Sequence, residues 1–598
     1  MSIILPFFLA AILLFSFTTN ISAQETEEEK PPNNDIIVDA MMQINLVMIG
    51  DTWSQEEQKA IGDKLLKSYM PNIYYEERAA GVNYTYNYSF RNMTAEKSDE
   101  LVTYIDAIAE DPPADWMPYI AEWISFVAES REEIPPFVNL RNDTYKMISA
   151  FAVEEWLAKL ERDKGYTIYF LKPVNEKVNY FLEEPSEAKV NYFHTYGTVD
   201  TDPDTGIEFI QQGMMGFGGK YRFYFIDLNA GPWLYPYPQF HKNIFDIETE
   251  DEYHELIAGY VNNALLLLFT PSYLYSPVYK LNHKIDIFLI DYASGRVFHD
   301  VADKYINKST IESALAKLIP YAKWSSNIQE HNFDSLPREL QRTVLRSLTF
   351  KDIEGTDGII LVRSSDLIIE LNKWVASNLS SEQAAMAEEE AEETMFIPVI
   401  IFVFDKAAYV DREGSLGTAV PDPADNTIPC CAVVAIDKHS LFDIGAGLSF
   451  VTIHEMGHVL GLRHPHDGSN PTQGEFFNWF FDWSYTPMTY SSPSSFGCGL
   501  GFVGCGMVIT EFGQFNYDAL DRGMVLYLLN QAQSNIRDSM LQIEEKGYEK
   551  NIPTFISTKM PSIDTDMEKA KEHFAKMTYF NHTTFKDLSS IMDPMDDA

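Results

Sequence analysis

One stretch constrains this chain more than any other: His454-Glu455-Met456-Gly457-His458-Val459-Leu460-Gly461-Leu462-Arg463-His464. Wound as a helix, it puts His454 and His458 one turn apart on the same face. Two neutral imidazoles at that spacing can bind one small metal ion. Glu455 is placed beside the first, to reach a water on the metal rather than the metal itself. Gly461 is where the helix can stop, because glycine enters the left-handed conformation at little cost. The turn there returns His464 as a third ligand. Three histidines and a water make the open form of a zinc site, whereas a structural site is closed by a fourth protein ligand. With 13 histidines in 598 residues, the full pattern arises by chance in fewer than about one such chain in 10,000. A core helix with incidental histidines is therefore set aside. His254-Glu255 is the counter-example, since Ala258 stands where the second histidine is needed. That pair reads as ordinary surface helix.

The extended motif resembles the metzincin clan of zinc endopeptidases. Within the clan, His-Glu-x-Gly-His-x-Leu-Gly-Leu-x-His-Pro is most similar to the serralysins, with Pro465 and Asp467 fitting as well. The clan places a methionine turn beneath the metal, and Ser484-Tyr485-Thr486-Pro487-Met488-Thr489-Tyr490 follows at a suitable distance. The resemblance spans residues 395–545 and implies one catalytic zinc ion on His454, His458 and His464. It further implies Glu455 as general base, Met488 beneath the metal, and Tyr490 as a zinc ligand or a donor to the oxyanion. His466 is a substitute ligand that the family spacing passes over, and Asp467 reads as a turn or supporting residue. The chain departs from serralysins in lacking Gly-Gly-x-Gly-x-Asp repeats, so no calcium-binding β-roll is expected.

Charge excludes some partners. The chain carries 45 basic and 88 acidic side chains, a net −43, which repels nucleic acid and anionic membranes. Residues 3–17 form an apolar run too short for a comfortable membrane span, followed by Ser22-Ala23, a small-residue cleavage site. This reads as a secretory signal peptide; no Lys or Arg precedes the run, which leaves an uncleaved membrane anchor as the alternative. Sequons begin at Asn83, Asn87, Asn92, Asn142, Asn307, Asn378 and Asn581. The four cysteines, Cys430, Cys431, Cys498 and Cys505, suggest disulfides in an exported chain, with three possible connectivities. Bridges from the adjacent pair to the Gly-rich loop 496–506 are favoured, with a Cys498–Cys505 loop as the other option.

The expected fold class is α+β. A metzincin-like catalytic domain (mixed twisted sheet, active-site helix, methionine turn, C-terminal helix) follows a large mixed α and β N-terminal region. The segments are 1–23 signal, 24–35 acidic and disordered, 36–280 N-terminal accessory or pro-region, 281–548 catalytic, and 549–598 an appendage. Periodicity predicts strands at 43–49, 166–171, 221–226, 284–290, 396–404 and 431–436. It predicts helices at 55–69, 98–109, 153–164, 250–268, 310–323, 336–348, 367–376, 448–462, 515–544 and 567–577. Residues 80–94 read as an exposed strand or loop, and 380–394 as a solvated helix or linker. In the clan, the strand before the active-site helix forms the rim that pairs with an extended protein or peptide substrate. No cysteine precedes Cys430 to serve as a latency ligand. Ile49-Gly50-Asp51 faintly echoes an aspartate latency element, and a permanent accessory domain is the preferred reading of the N-terminal region. The chemistry expected is secreted zinc endopeptidase. The competing class is an extracellular surface or adhesion protein with structural zinc, which has no need of Glu455.

Overall fold

The computed structural model describes residues 36–70, 72–75, 78–110, 145–161, 165–172, 193–201, 208–213, 215–217, 222–228, 249–269, 281–292, 306–351, 358–363, 367, 374, 394–406, 408–411, 417–420, 431–437, 447–464, 467–470, 475–478, 482–484, 486–488, 510–545 and 565–572. The fold is mixed α/β, built on two mixed sheets.

In chain order, the first sheet begins with β1 (Ile36–Ile49), α1 (Gln55–Lys64), β2 (Ser68–Tyr69), β3 (Asn72–Tyr75), β4 (Arg78–Asn92) and α2 (Ala95–Ile108). Then come β5 (Tyr145–Ile148), α3 (Ala150–Leu157), β6 (Tyr166–Leu171), β7 (Phe193–Thr201) and β8 (Glu208–Gly213). β9 (Met215–Phe217), β10 (Phe223–Asp227) and α4 (Glu250–Leu268) complete this half. β1 lies between β4 and β6 with all three parallel, β10 continues parallel to β6, and β9 runs antiparallel to β10. β5, β7 and β8 form a separate three-stranded sheet.

The second half repeats the alternation. It runs β11 (Asn282–Asp291), α5 (Lys308–Leu318), β12 (Lys323–Asn332), α6 (Arg338–Ser347), β13 (Leu348–Lys351), β14 (Ile359–Val362) and β15 (Thr394–Phe404). Then follow β16 (Ala408–Val410), β17 (Gly417–Val420), β18 (Cys431–Asp437) and α7 (Gly447–Val459). Three short strands, β19 (Asp467–Asn470), β20 (Glu475–Asn478) and β21 (Asp482–Ser484), lead to α8 (Gln514–Glu545). The sheet order is β12-β11-β15-β18-β17, parallel except for β17.

The dense apolar runs of β11, β15 and β18 follow from burial on both faces. Ile285, Ile287, Val399, Ile401, Ala432 and Val434 join the large core shared with the first sheet. Their alternates Phe288, Ile290, Ile400, Phe402, Val433 and Ala435 enter a second core under α6. This two-residue alternation is the pleat of a central sheet.

Several expectations shift. The helix expected over 310–323 ends at Leu318, and Lys323 opens β12. That strand is polar because it is the edge of its sheet, paired on one side. The helix expected over 55–69 stops at Lys64, where Leu65 turns extended. The segment 80–94 is a strand, β4, internal to its sheet: Val82 and Tyr84 are buried, while Thr85, Asn87 and Arg91 are exposed. β18, the strand before α7, is held between β15 and β17, so among the described residues β17 ends this sheet. Residues 1–35, 380–393 and 573–598, and Leu367–Ala376 apart from Leu367 and Trp374, lie outside the described residues.

The C-terminal helix fastens the two halves. Asp518, on α8, is 1% exposed and accepts from both Arg222 Nε (3.0 Å) and Nη2 (2.9 Å), from Tyr166 Oη (2.5 Å) and from Gln514 Nε2 (2.8 Å). One turn on, buried Arg522 donates to the Leu268 carbonyl (2.6 Å), which caps the end of α4. A paired arginine stripped of its carboxylate is a buried uncompensated charge. Asp518→Ala is therefore expected to destabilise the chain by about 3–5 kcal/mol, read as a lower denaturant midpoint. An unchanged midpoint would show that this fastening carries no stability.

Candidate metal centre

The site is built on the C-terminal end of α7. Leu460 N–H bonds to Met456 O, Gly461 N–H to His458 O (2.9 Å), and Leu462 N–H to Gly457 O (2.9 Å). The last two bonds, with Gly461 at φ 87°, form a Schellman cap. A residue with a Cβ would pay for that φ, and the glycine lets the chain fold back so that His464 faces the helix.

The three imidazoles then meet. His454 Nε2 and His458 Nε2 are 3.2 Å apart, His458 and His464 3.1 Å, and His464 and His454 3.4 Å. His454 Nδ1 donates to the Pro487 carbonyl (2.6 Å) and His458 Nδ1 donates to the Leu462 carbonyl (2.9 Å). A carbonyl can only accept, so these bonds leave both Nε2 atoms of the neutral rings as acceptors. Lone pairs facing each other at 3.2 Å repel unless a cation lies between them. Nitrogens about 2.0–2.1 Å from a tetrahedral zinc ion are about 3.3–3.4 Å apart, close to the spacing found. The residues present fit a metal ion, and among the described residues this is the one group of His, Cys, Asp and Glu side chains that can hold one.

Glu455 is 4% exposed, and its Oε2 is buried with no hydrogen-bond partner in the protein. Burial pushes its carboxyl up to about 8. A cation beside it would favour the carboxylate. The other oxygen lies against Gly417 of β17, where a Cβ would overlap the carboxylate. Gly417 was not among the residues singled out from the sequence. Its only signal there is a glycine inside a strand, which often marks a close approach.

Beneath α7, Met488 is fully buried against Gly457, whose missing Cβ leaves the space for its sulfur. Met488 N–H bonds to Thr486 Oγ1 (3.2 Å), and Thr486 Oγ1 donates to Asn516 Oδ1 (2.5 Å) on α8. The turn at Met488 is thus tied to α8 and, through Pro487 O, to His454. Pro487, Leu462, Thr486 and Asn516 are supporting residues that carry no ligand signature in the sequence. Tyr490, Pro465, His466, Cys430, Cys498 and Cys505 lie outside the described residues; Cys431 opens β18, and Asp467 opens β19. His254, in α4, is buried, while Glu255 is exposed and paired with Lys64 (3.2 Å). That helix is therefore less a surface helix than its sequence suggests.

No family model and no curated protein matches the chain. Among solved structures it is similar to metalloproteinase-II from Bacteroides fragilis, at 13% identity and a TM-score of 0.19, over 37% of this chain and 52% of that one. The chain thus spans about half the length of the structure it matches. No helix among the described residues is long and apolar enough to cross a membrane.

Gly461→Ala tests the cap. A left-handed alanine costs about 1–2 kcal/mol, and displacement of His464 is expected to weaken metal binding at least about tenfold. Chelator competition reads the affinity; an unchanged value would mean that His464 does not depend on this turn.

Proposed function

We propose that the chain is a secreted zinc endopeptidase of the metzincin clan, with a serralysin-like motif, which hydrolyses peptide bonds with Glu455 as general base. One observation carries this reading: three converging histidine nitrogens beside a buried carboxylate oxygen with no partner in the protein. A carboxylate held dry and unpaired is costly, and a structural metal site has no use for it.

His454, His458 and His464 would hold the ion, and the carbonyls of Pro487 and Leu462 fix the ring orientation of the first two. When bound, zinc would lower the pKa of a coordinated water toward about 7 and polarise the scissile carbonyl. Glu455 takes the proton from the attacking water and returns it to the leaving amine. Tyr490, by its place after the methionine turn, takes the role of stabilising the oxyanion. β17 is the terminal strand of its sheet among the described residues, and Gly417 on it touches Glu455. An extended peptide adding to that strand would run past the base and the histidines, with main-chain hydrogen bonds giving register. The apolar run at 3–17, with small residues at 22–23, supports export.

The test is hydrolysis of an unfolded protein by the full chain and its variants, with bound zinc quantified. Glu455→Ala is expected to keep the metal and lose about 10²–10⁴-fold in turnover; Tyr490→Phe loses less. Gly417→Ala, which crowds the carboxylate, keeps zinc and lowers kcat. Cleavage that survives Glu455→Ala or resists a chelator would overturn the assignment.

A further inference from the structure

The two large sheets have the same plan. Each contains a run of five strands. Taken in chain order, the first of the five is central, the second pairs parallel on one side and the third parallel on the other; the fifth then extends the sheet, and an antiparallel fourth strand follows it. The run reads β4-β1-β6-β10-β9 in the first sheet, where β2 and β3 also pair with β4, and β12-β11-β15-β18-β17 in the second. Helices occupy the same steps: α1 and α5 after the first strand, α2 and α6 after the second, α4 and α7 after the last. The first and last helices also meet in both. In one half Leu66 N–H, just past α1, bonds to Asn262 of α4 (2.7 Å); in the other Asn307 N–H, at the start of α5, bonds to Ser449 of α7 (2.6 Å).

Besides β2, β3 and the small separate sheets, the halves differ at two places that bear on the site. α4 has Ala258 one turn after His254, and its Glu255 faces Lys64 instead of the antiparallel strand. The second difference is at the edge. β17 ends its sheet, whereas β9, in the matching position, carries a further strand. That strand is β21, from the metal-binding half, paired in parallel as Asp482–Met215, Trp483–Gly216 and Ser484–Phe217. β21 ends two residues before Thr486, and Pro487 holds the His454 ring.

We infer that residues 36–269 are a second copy of the unit that carries the histidines, with Ala258 where a second ligand would stand on α4, and that its edge strand β9 holds β21. This copy uses the edge where the other unit would take a substrate to hold the segment leading into the methionine turn. It is a working part of the metal centre and not a removable leader. The inference rests on the proposed function for its description of the β17 edge and of the metal centre.

Two measurements test it on the full chain. A specific protease site is inserted within residues 270–280 and cleaved after purification. The two pieces are expected to co-elute on gel filtration with zinc retained; pieces that separate, leaving the C-terminal one with undiminished zinc affinity, would overturn the inference. Gly216→Pro, which breaks the β9 ladder, is expected to weaken zinc binding at least tenfold while circular dichroism stays native-like. A folded Gly216→Pro with wild-type affinity would also overturn it. Should that variant not fold, the cleaved chain decides alone. Neither readout depends on turnover, so a wild type without peptidase activity would count against the proposed function and leave this inference standing. A wild type that binds no metal would leave no metal centre for this copy to support and would overturn the inference as well.

Discussion

The convergence of three imidazoles on one point is the constraint on which the site depends. Neutral histidines do not gather their acceptor nitrogens at 3.1–3.4 Å unaided. The protein imposes the arrangement from outside, by giving Nδ1 of His454 and His458 a carbonyl each. Both carbonyls come from backbone that is itself held: Leu462 by the cap on Gly461, Pro487 by the buried Thr486–Asn516 contact. Ring orientation is therefore decided before any ion arrives, which lowers the cost of binding one.

The same economy of space surrounds Glu455. Two glycines that carry no chemistry set its environment and that of the helix beneath it. Gly417 allows a strand backbone to lie against the carboxylate, and Gly457 admits the Met488 sulfur under α7. Behind them, α8 joins the halves through Asp518 and Arg522. The strand β21 supplies a second join, this one leading directly into the methionine turn. The metal site is thus fed by the first sheet as well as by its own.

The sequence made legible what local geometry dictates. Periodicity and capping placed α4, α7 and α8, and a four-point spacing placed the histidines, because helix turns convert sequence distance directly into spatial distance. Continuous apolar runs found β6, β11, β15 and β18, since strands buried on both faces have no polar side to show. β12 leaves no signal in the sequence because an edge strand looks like a polar loop; the helix expected over 310–323 overlaps it only at Lys323. β9, β17 and β21 are three or four residues long and acquire meaning only from their partners. The likeness of the two halves left no repeated motif, because a sheet order can persist while the side chains that fill it change completely.

The central claim is that the ion is held by three histidines and leaves a position open for water. X-ray absorption at the zinc edge on the purified full chain tests it most directly. The expected result is three nitrogen donors at about 2.0–2.1 Å and one or two light oxygen donors, with His464→Ala losing one nitrogen. Sulfur in the shell, or four histidine nitrogens and no oxygen, would mean a closed structural site and would contradict the account.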